Sequence, residues 1–160
     1  MEEKVYEVLK NLNVNYSKID HPPLYTAMDN EQHGIKFDGI ACKNLFLRNK
    51  DKSQYYLIIL PLNKRLDLKN IQNKLNETRL SFGNEDELAE KLKITRGAVS
   101  LLNIIEVEKT DIKFIIDRSL LDYDNVCFHP NINTSTVIFS SNTIKKILDK
   151  YKADYKFIEF

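Results

Sequence analysis

Cysteine is scarce in this chain of 160 residues: Cys42 and Cys127 are the only two. They are far apart in sequence, and neither has a CxxC partner or a nearby histidine at zinc-ligand spacing. A disulfide framework and a structural zinc site are therefore excluded, and both thiols are expected to be small buried or half-buried side chains. No run approaches the roughly 20 apolar residues that span a bilayer. The opening MEEKVYEVLK is charged and periodic, without the apolar centre of a signal peptide. A cytoplasmic protein with no membrane partner is the expectation. Excess charge is also missing, since 24 basic residues face 23 acidic ones for a net +1. A protein that coats long nucleic acid needs a strong basic excess, whereas a local patch gripping a few phosphates does not. There is no GxSxG elbow, no GxxxxGK[ST] loop, no HExxH and no GxGxxG. His21, His33 and His129 have no metal-like mutual spacing. The expected chemistry uses neither metal nor cofactor.

What is present suits an ordinary globular domain. Hydrophobic residues make up 42% and charged residues 29% of the chain, and its length is enough to bury a core. No repeat or linker interrupts it, so residues 1–160 read as one domain. Val5, Val8, Leu9 and Leu12 recur at helical spacing over 2–12. A short strand over 16–20 follows, stopped by His21-Pro22-Pro23. Thr26 and Asp29 resemble a capping box that opens a short helix ended by Gly34. Residues 40–48 and 54–60 form a predicted hairpin, and the second run is apolar enough to lie centrally in a sheet. Asp67 and Asn84 are positioned to cap two helices. Further strands are predicted over 113–117, 125–129, 135–140 and 155–159, with a helix over 143–150. The fold class is α+β, a mixed sheet or barrel-like core with helices packed around it.

Three places put polar residues into apolar context. Lys43, in Cys42-Lys43-Asn44, interrupts a strand that otherwise reads Ile40, Ala41, Leu45, Phe46, Leu47. It either points to water from an edge or reaches into a cleft. Phe128-His129-Pro130 runs into Asn131, Asn133, Thr134 and Thr136, which suits a satisfied polar turn as well as an active-site corner. Thr95-Arg96-Gly97-Ala98-Val99-Ser100 is a glycine-containing loop whose backbone amides suit an anion or a carbonyl.

Taken together and in order, these runs resemble the family of prolyl-tRNA editing domains. That family includes the inserted domain of bacterial prolyl-tRNA synthetases and several stand-alone deacylases. The resemblance runs from His21-Pro22-Pro23 through Lys43-Asn44-Leu45-Phe46-Leu47-Arg48, Tyr55 to Pro61, Arg79-Leu80-Ser81-Phe82 and the 97–100 loop to Phe128-His129-Pro130 and Asn133-Thr134-Ser135-Thr136. Within the family it looks most like the branch that clears alanine from proline transfer RNA. The resemblance implies one cleft for the terminal adenosine and its esterified amino acid. It places the catalytic lysine at Lys43, the substrate loop at Gly97, Ala98, Val99 and Ser100, and the pocket histidine at His129, with Thr26 and Asn44 lining the same cleft. Relatives commonly carry a proline after the loop serine, where this chain has Leu101. The implied partner is a tRNA acceptor end carrying a small amino acid, and a prolyl-tRNA synthetase is a second candidate partner. Lys64, Arg65 and Lys69, and separately Lys91, Lys93 and Arg96, are candidate phosphate contacts, although a solvated helix face explains such charges equally well. Two alternatives stay open: the same hydrolysis with cysteine, serine or threonine on the RNA, and a non-catalytic regulator that only senses an aminoacyl ligand.

Overall fold

The computed structural model describes residues 2–23, 38–95, 97–107 and 111–160. Thr26, the predicted helix that ends at Gly34, and Arg96 lie outside the described residues. Eight strands form one mixed sheet: β1 (Tyr16–Asp20), β2 (Ile40–Asn49), β3 (Tyr55–Pro61), β4 (Leu80–Phe82), β5 (Lys113–Asp117), β6 (Asn125–Phe128), β7 (Ser135–Ser140) and β8 (Asp154–Ile158). Their order is β1-β7-β6-β2-β3-β5-β8, with β4 paired to β2 off that path. The sheet is therefore open, with β1 and β8 at its ends, and of the two expected cores, a mixed sheet or a barrel-like one, it is the mixed sheet. Closure requires the terminal strands to pair, and here they are the two separated by all the others.

The predicted hairpin forms as β2 and β3, antiparallel from Cys42 opposite Pro61 to Arg48 opposite Tyr55. β3 is buried along its full length, because its apolar residues face a packed layer on each side. Tyr55, Leu57 and Ile59 join the larger core cluster, whereas Tyr56, Ile58 and Leu60 join a second one. β2 divides in the same way. Ile40, Cys42 and Phe46 pack against the larger cluster, and Leu45 and Leu47 against the second. This is the period-two alternation of a strand covered on both faces.

Among the described residues the α-helices are α1 (Glu2–Asn11), α2 (Leu68–Lys74), α3 (Glu85–Leu92), α4 (Ile104–Val107) and α5 (Thr143–Lys150). Apolar residues of α1, α3, α4 and α5 build the larger cluster, while Ile71 of α2 belongs to the second. Asp67 caps α2 by accepting from the Asn70 amide. Asn84 opens α3 with a reciprocal capping box closed by Glu87. Among the described residues no helix is long and apolar enough to cross a membrane.

The sheet has one feature that matters for the site. On its edge away from β3, β2 pairs with β6 only at Ile40 and Ala41 and with β4 only at Leu47 to Asn49. Between those short ladders the edge is left as a notch, and Lys43 and Asn44 lie in it.

Candidate active site

β2 and β6 run parallel, with Ala41 beside Cys127. Two residues further along each stand Lys43 and His129. Val126 and Phe128 point into the larger cluster, so alternation directs His129 to the opposite face. Lys43 shares that face, since its neighbours Cys42 and Asn44 point the other way. Continued past the last paired residues, the alternation puts position 43 and position 129 on the same side of the sheet. His21 joins them. Its Nε2 lies 2.7 Å from Thr136 Oγ1 and its ring centroid 6.1 Å from that of His129.

The 97–101 loop lies against this stretch of β2 and near His129. At its start, the Gly97 backbone lies near enough to His129 to favour the protonated imidazole. Gly97 has φ +91°, a conformation that a side chain disfavours. At its end, Asn44 Oδ1 accepts the Leu101 amide at 2.9 Å. A proline at 101 has no N–H to give. The departure from the family's usual proline is therefore compensated by a hydrogen bond that only a non-proline residue can make, and Leu101 itself is fully buried.

Between these ends the loop consumes most of its own polar groups. Ser100 is fully buried, its hydroxyl accepts from the Leu102 amide at 3.2 Å, and its own amide donates to Asn103 Oδ1 at 2.7 Å. Ala98 N–H donates to the Thr95 carbonyl at 3.3 Å. Ala98 and Ser100 therefore hold the loop in shape instead of presenting side chains to a ligand. Among the described residues, the loop amides with no assigned acceptor are those of Gly97 and Val99. Asn103, which the sequence reading missed, holds the loop from behind: its Nδ2 donates to the Ala98 carbonyl at 3.1 Å and to Asn131 Oδ1 at 2.7 Å. The Ser100-x-x-Asn103 spacing of a capping box was the available signal. Asn131, buried with φ +65°, carries the turn after His129, a conformation asparagine tolerates better than most residues.

Burial is the main influence holding the His129 imidazole below the usual histidine pKa of 6.5, with the neighbouring His21 adding to it and the Gly97 backbone opposing it. At neutral pH the ring is therefore neutral, with one nitrogen a donor and the other an acceptor. The folded state then binds this proton less readily than the unfolded chain. Its contribution to stability is full above about 6.5 and is lost as pH falls from there toward the depressed folded value. NMR titration should give His129 a midpoint below 6.5; a midpoint at or above that value contradicts the packing described.

The hydrogen bond of the Lys43 ammonium is made outside the loop: Nζ donates to the Lys64 carbonyl at 2.6 Å, in the turn after β3. Lys64 in turn spends its own ammonium on Asp117, at 2.8 Å, so it is committed within the fold and is not a free phosphate contact. Arg65, Lys69 and Lys93 are exposed. Lys91 lies 3.7 Å from Asp111 and over the Tyr55 ring. Cys42 packs against the larger cluster with its thiol pKa pushed well up, above all by burial, which removes it as a nucleophile. The Cys127 thiol is likewise raised, to about 12.

A family model for the aminoacyl-tRNA editing domain matches residues 21–147. The chain belongs to the aminoacyl-tRNA editing domain family. Prolyl-tRNA editing protein ProX of Acetoanaerobium sticklandii is 36% identical over 157 residues, which cover 98% of this chain and 96% of that protein. Prolyl-tRNA synthetase associated domain-containing protein 1 of Xenopus laevis is 27% identical over 164 residues, covering 100% and 97%. A crystal structure of a candidate trans-editing enzyme for prolyl tRNA synthetase has the same fold, with a TM-score of 0.71 at 18% identity over 99% of this chain and 96% of that one. The editing-domain match spans Lys43, Asn44, the 97–101 loop and His129, so the whole notch lies inside it.

Proposed function

We propose that this chain is a trans-editing deacylase that hydrolyses the ester between a small amino acid, alanine foremost, and tRNA(Pro). What supports this reading is that a chain of the editing-domain family carries Lys43 and Asn44 side by side in β2, with Asn44 holding the 97–101 loop through the Leu101 amide. The 36% identical ProX relative, a prolyl-tRNA editing protein by name, supports the RNA. The likeness of the KNLFLR and FHPNINTST runs to the alanine-clearing branch supports the amino acid.

An aminoacyl ester is already an activated bond, so the site has to supply position and electrostatics more than reactive groups. Water attacks the ester carbonyl carbon, negative charge builds on the carbonyl oxygen, and the bond to the ribose oxygen breaks as that oxygen takes a proton. The Lys43 ammonium and the unspent amides of Gly97 and Val99 are the donors for the developing charge. The neutral His129 ring accepts a hydrogen bond from the substrate, and the free hydroxyl of the terminal ribose orients the water.

The need for such an enzyme follows from size. Alanine is smaller than proline, and each absent methylene costs the wrong substrate only about 1–3 kcal/mol in a synthetase pocket. A second pocket that accepts the smaller residue and refuses the larger supplies the missing discrimination. Single-turnover deacylation of alanyl-, cysteinyl- and prolyl-tRNA(Pro) tests this side by side. Alanyl-tRNA(Pro) is expected to lose its ester fastest and prolyl-tRNA(Pro) to stay at background. Faster loss of cysteine would reassign the substrate, and loss of proline would reject the size argument.

A further inference from the structure

We infer that Lys64 and Asp117 form a positioning pair for the reactive ammonium, an inference that rests on the deacylase reading of Lys43. Three strands meet here. Lys43 of β2 is opposite Leu60 of β3, and Ile59 opposite Ile116 of β5, so Leu60 and Asp117 come next along that parallel pair. Lys43, Leu60 and Asp117 therefore occupy one rung across β2, β3 and β5. Leu45, Leu60 and Ile115 all belong to the second cluster, which puts the side chains of 43, 60 and 117 on the same face.

The turn after β3 folds back over this rung. It is held by the Leu62 amide on the Ala41 carbonyl at 2.8 Å and the Lys64 amide on the Pro61 carbonyl at 3.0 Å. Lys64 thereby bridges the two flanking positions, its carbonyl accepting from Lys43 Nζ at 2.6 Å and its own Nζ donating to Asp117 Oδ2 at 2.8 Å.

Asp117 is 1% exposed. Its other oxygen accepts from the Ser119 amide at 2.9 Å, which fixes the carboxylate at the end of β5. A buried carboxylate demands a counter-charge, so Asp117 dictates where the Lys64 side chain ends and with it the orientation of the Lys64 peptide. That peptide is what aims the Lys43 ammonium. A flexible four-carbon stem left to itself samples many rotamers, and a reacting charge that wanders by an ångström loses much of its value in the transition state. The pair acts through Lys43 and touches no substrate itself.

The test measures kcat and KM for alanyl-tRNA(Pro) in the full chain. Lys64→Met and Asp117→Asn should each lower kcat about tenfold with KM unchanged, and Lys64→Arg, which keeps the ion pair, should restore most of the loss. Removing one partner of a buried pair endangers folding. The double variant, with Lys64→Met and Asp117→Asn together, leaves no charge unpaired and should fold, as thermal unfolding will show, with the same loss of kcat. A folded double variant with wild-type kcat overturns the proposal, as does a loss that appears in KM alone or that Lys64→Arg fails to restore. Lys43→Ala is run alongside. If that variant keeps full activity, the deacylase reading of Lys43 falls and the positioning pair with it. If Lys43→Ala is dead while the double variant is fully active, the pair alone is wrong.

Discussion

Lys43→Ala is expected to lower single-turnover deacylation of alanyl-tRNA(Pro) by about 10²–10³-fold while leaving the thermal midpoint close to that of the parent. That range is what the loss of one preorganised donor to a developing oxyanion typically costs. Only two backbone amides of the 97–101 loop remain to supplement the ammonium, those of Gly97 and Val99, because the Ala98, Ser100 and Leu101 amides are already engaged. Little redundancy is left, which places the expected loss toward the large end. Stability should change little because Lys43 is only half-buried and its partner is a carbonyl in a half-buried turn. Measuring the rate with enzyme in excess over RNA separates chemistry from RNA binding. Activity near wild type contradicts the role given to this residue.

Asn103→Ala is expected to destabilise the protein by about 3 kcal/mol and to inactivate it without touching the substrate. Asn103 has no exposed surface, and it satisfies the Ser100 amide, the Ala98 carbonyl and the Asn131 side-chain oxygen. Each buried polar group stranded without a partner costs about 1–3 kcal/mol, and partial rearrangement keeps the sum below three full penalties. For a chain of this size roughly 3 kcal/mol corresponds to a fall of about 6–12 °C in Tm. The loop would then lose its shape behind Gly97 and Val99, so deacylation should fall even at temperatures where the variant is fully folded. Calorimetry and a rate measurement on the same sample check both halves. An unchanged Tm would show that Asn103 is not the support that its hydrogen bonds suggest.

Most of the fold was legible because the local signals were strong. The alternation and polar turn around residues 49–53 announced the β2–β3 hairpin, and Asp67 and Asn84 announced the helices that they cap. The failures have physical causes as well. β4 is three residues long and α4 four, too short for any periodicity to register, and both are held by tertiary contacts. Whether the sheet closed depended on which strands end its order, and that lies in long-range pairing. Within the site, Lys43, Asn44, Gly97 and His129 were visible as polar residues in apolar surroundings or by family likeness. Ser100 reads as a ligand contact in the sequence because its burial within the loop leaves no trace there. Lys64 looked like a free surface cation because its partner, Asp117, is 53 residues away. Asn103 was passed over for a similar reason, since Asn131 lies 28 residues further on.

The chain is expected to perform the reaction unaided. Purified protein mixed with a large excess of alanyl-tRNA(Pro), with no synthetase present, should release free alanine over many turnovers, at a rate proportional to protein concentration and lowered about 10²–10³-fold by Lys43→Ala. Alanine released no faster than from the RNA alone, by protein shown to be folded, would contradict it.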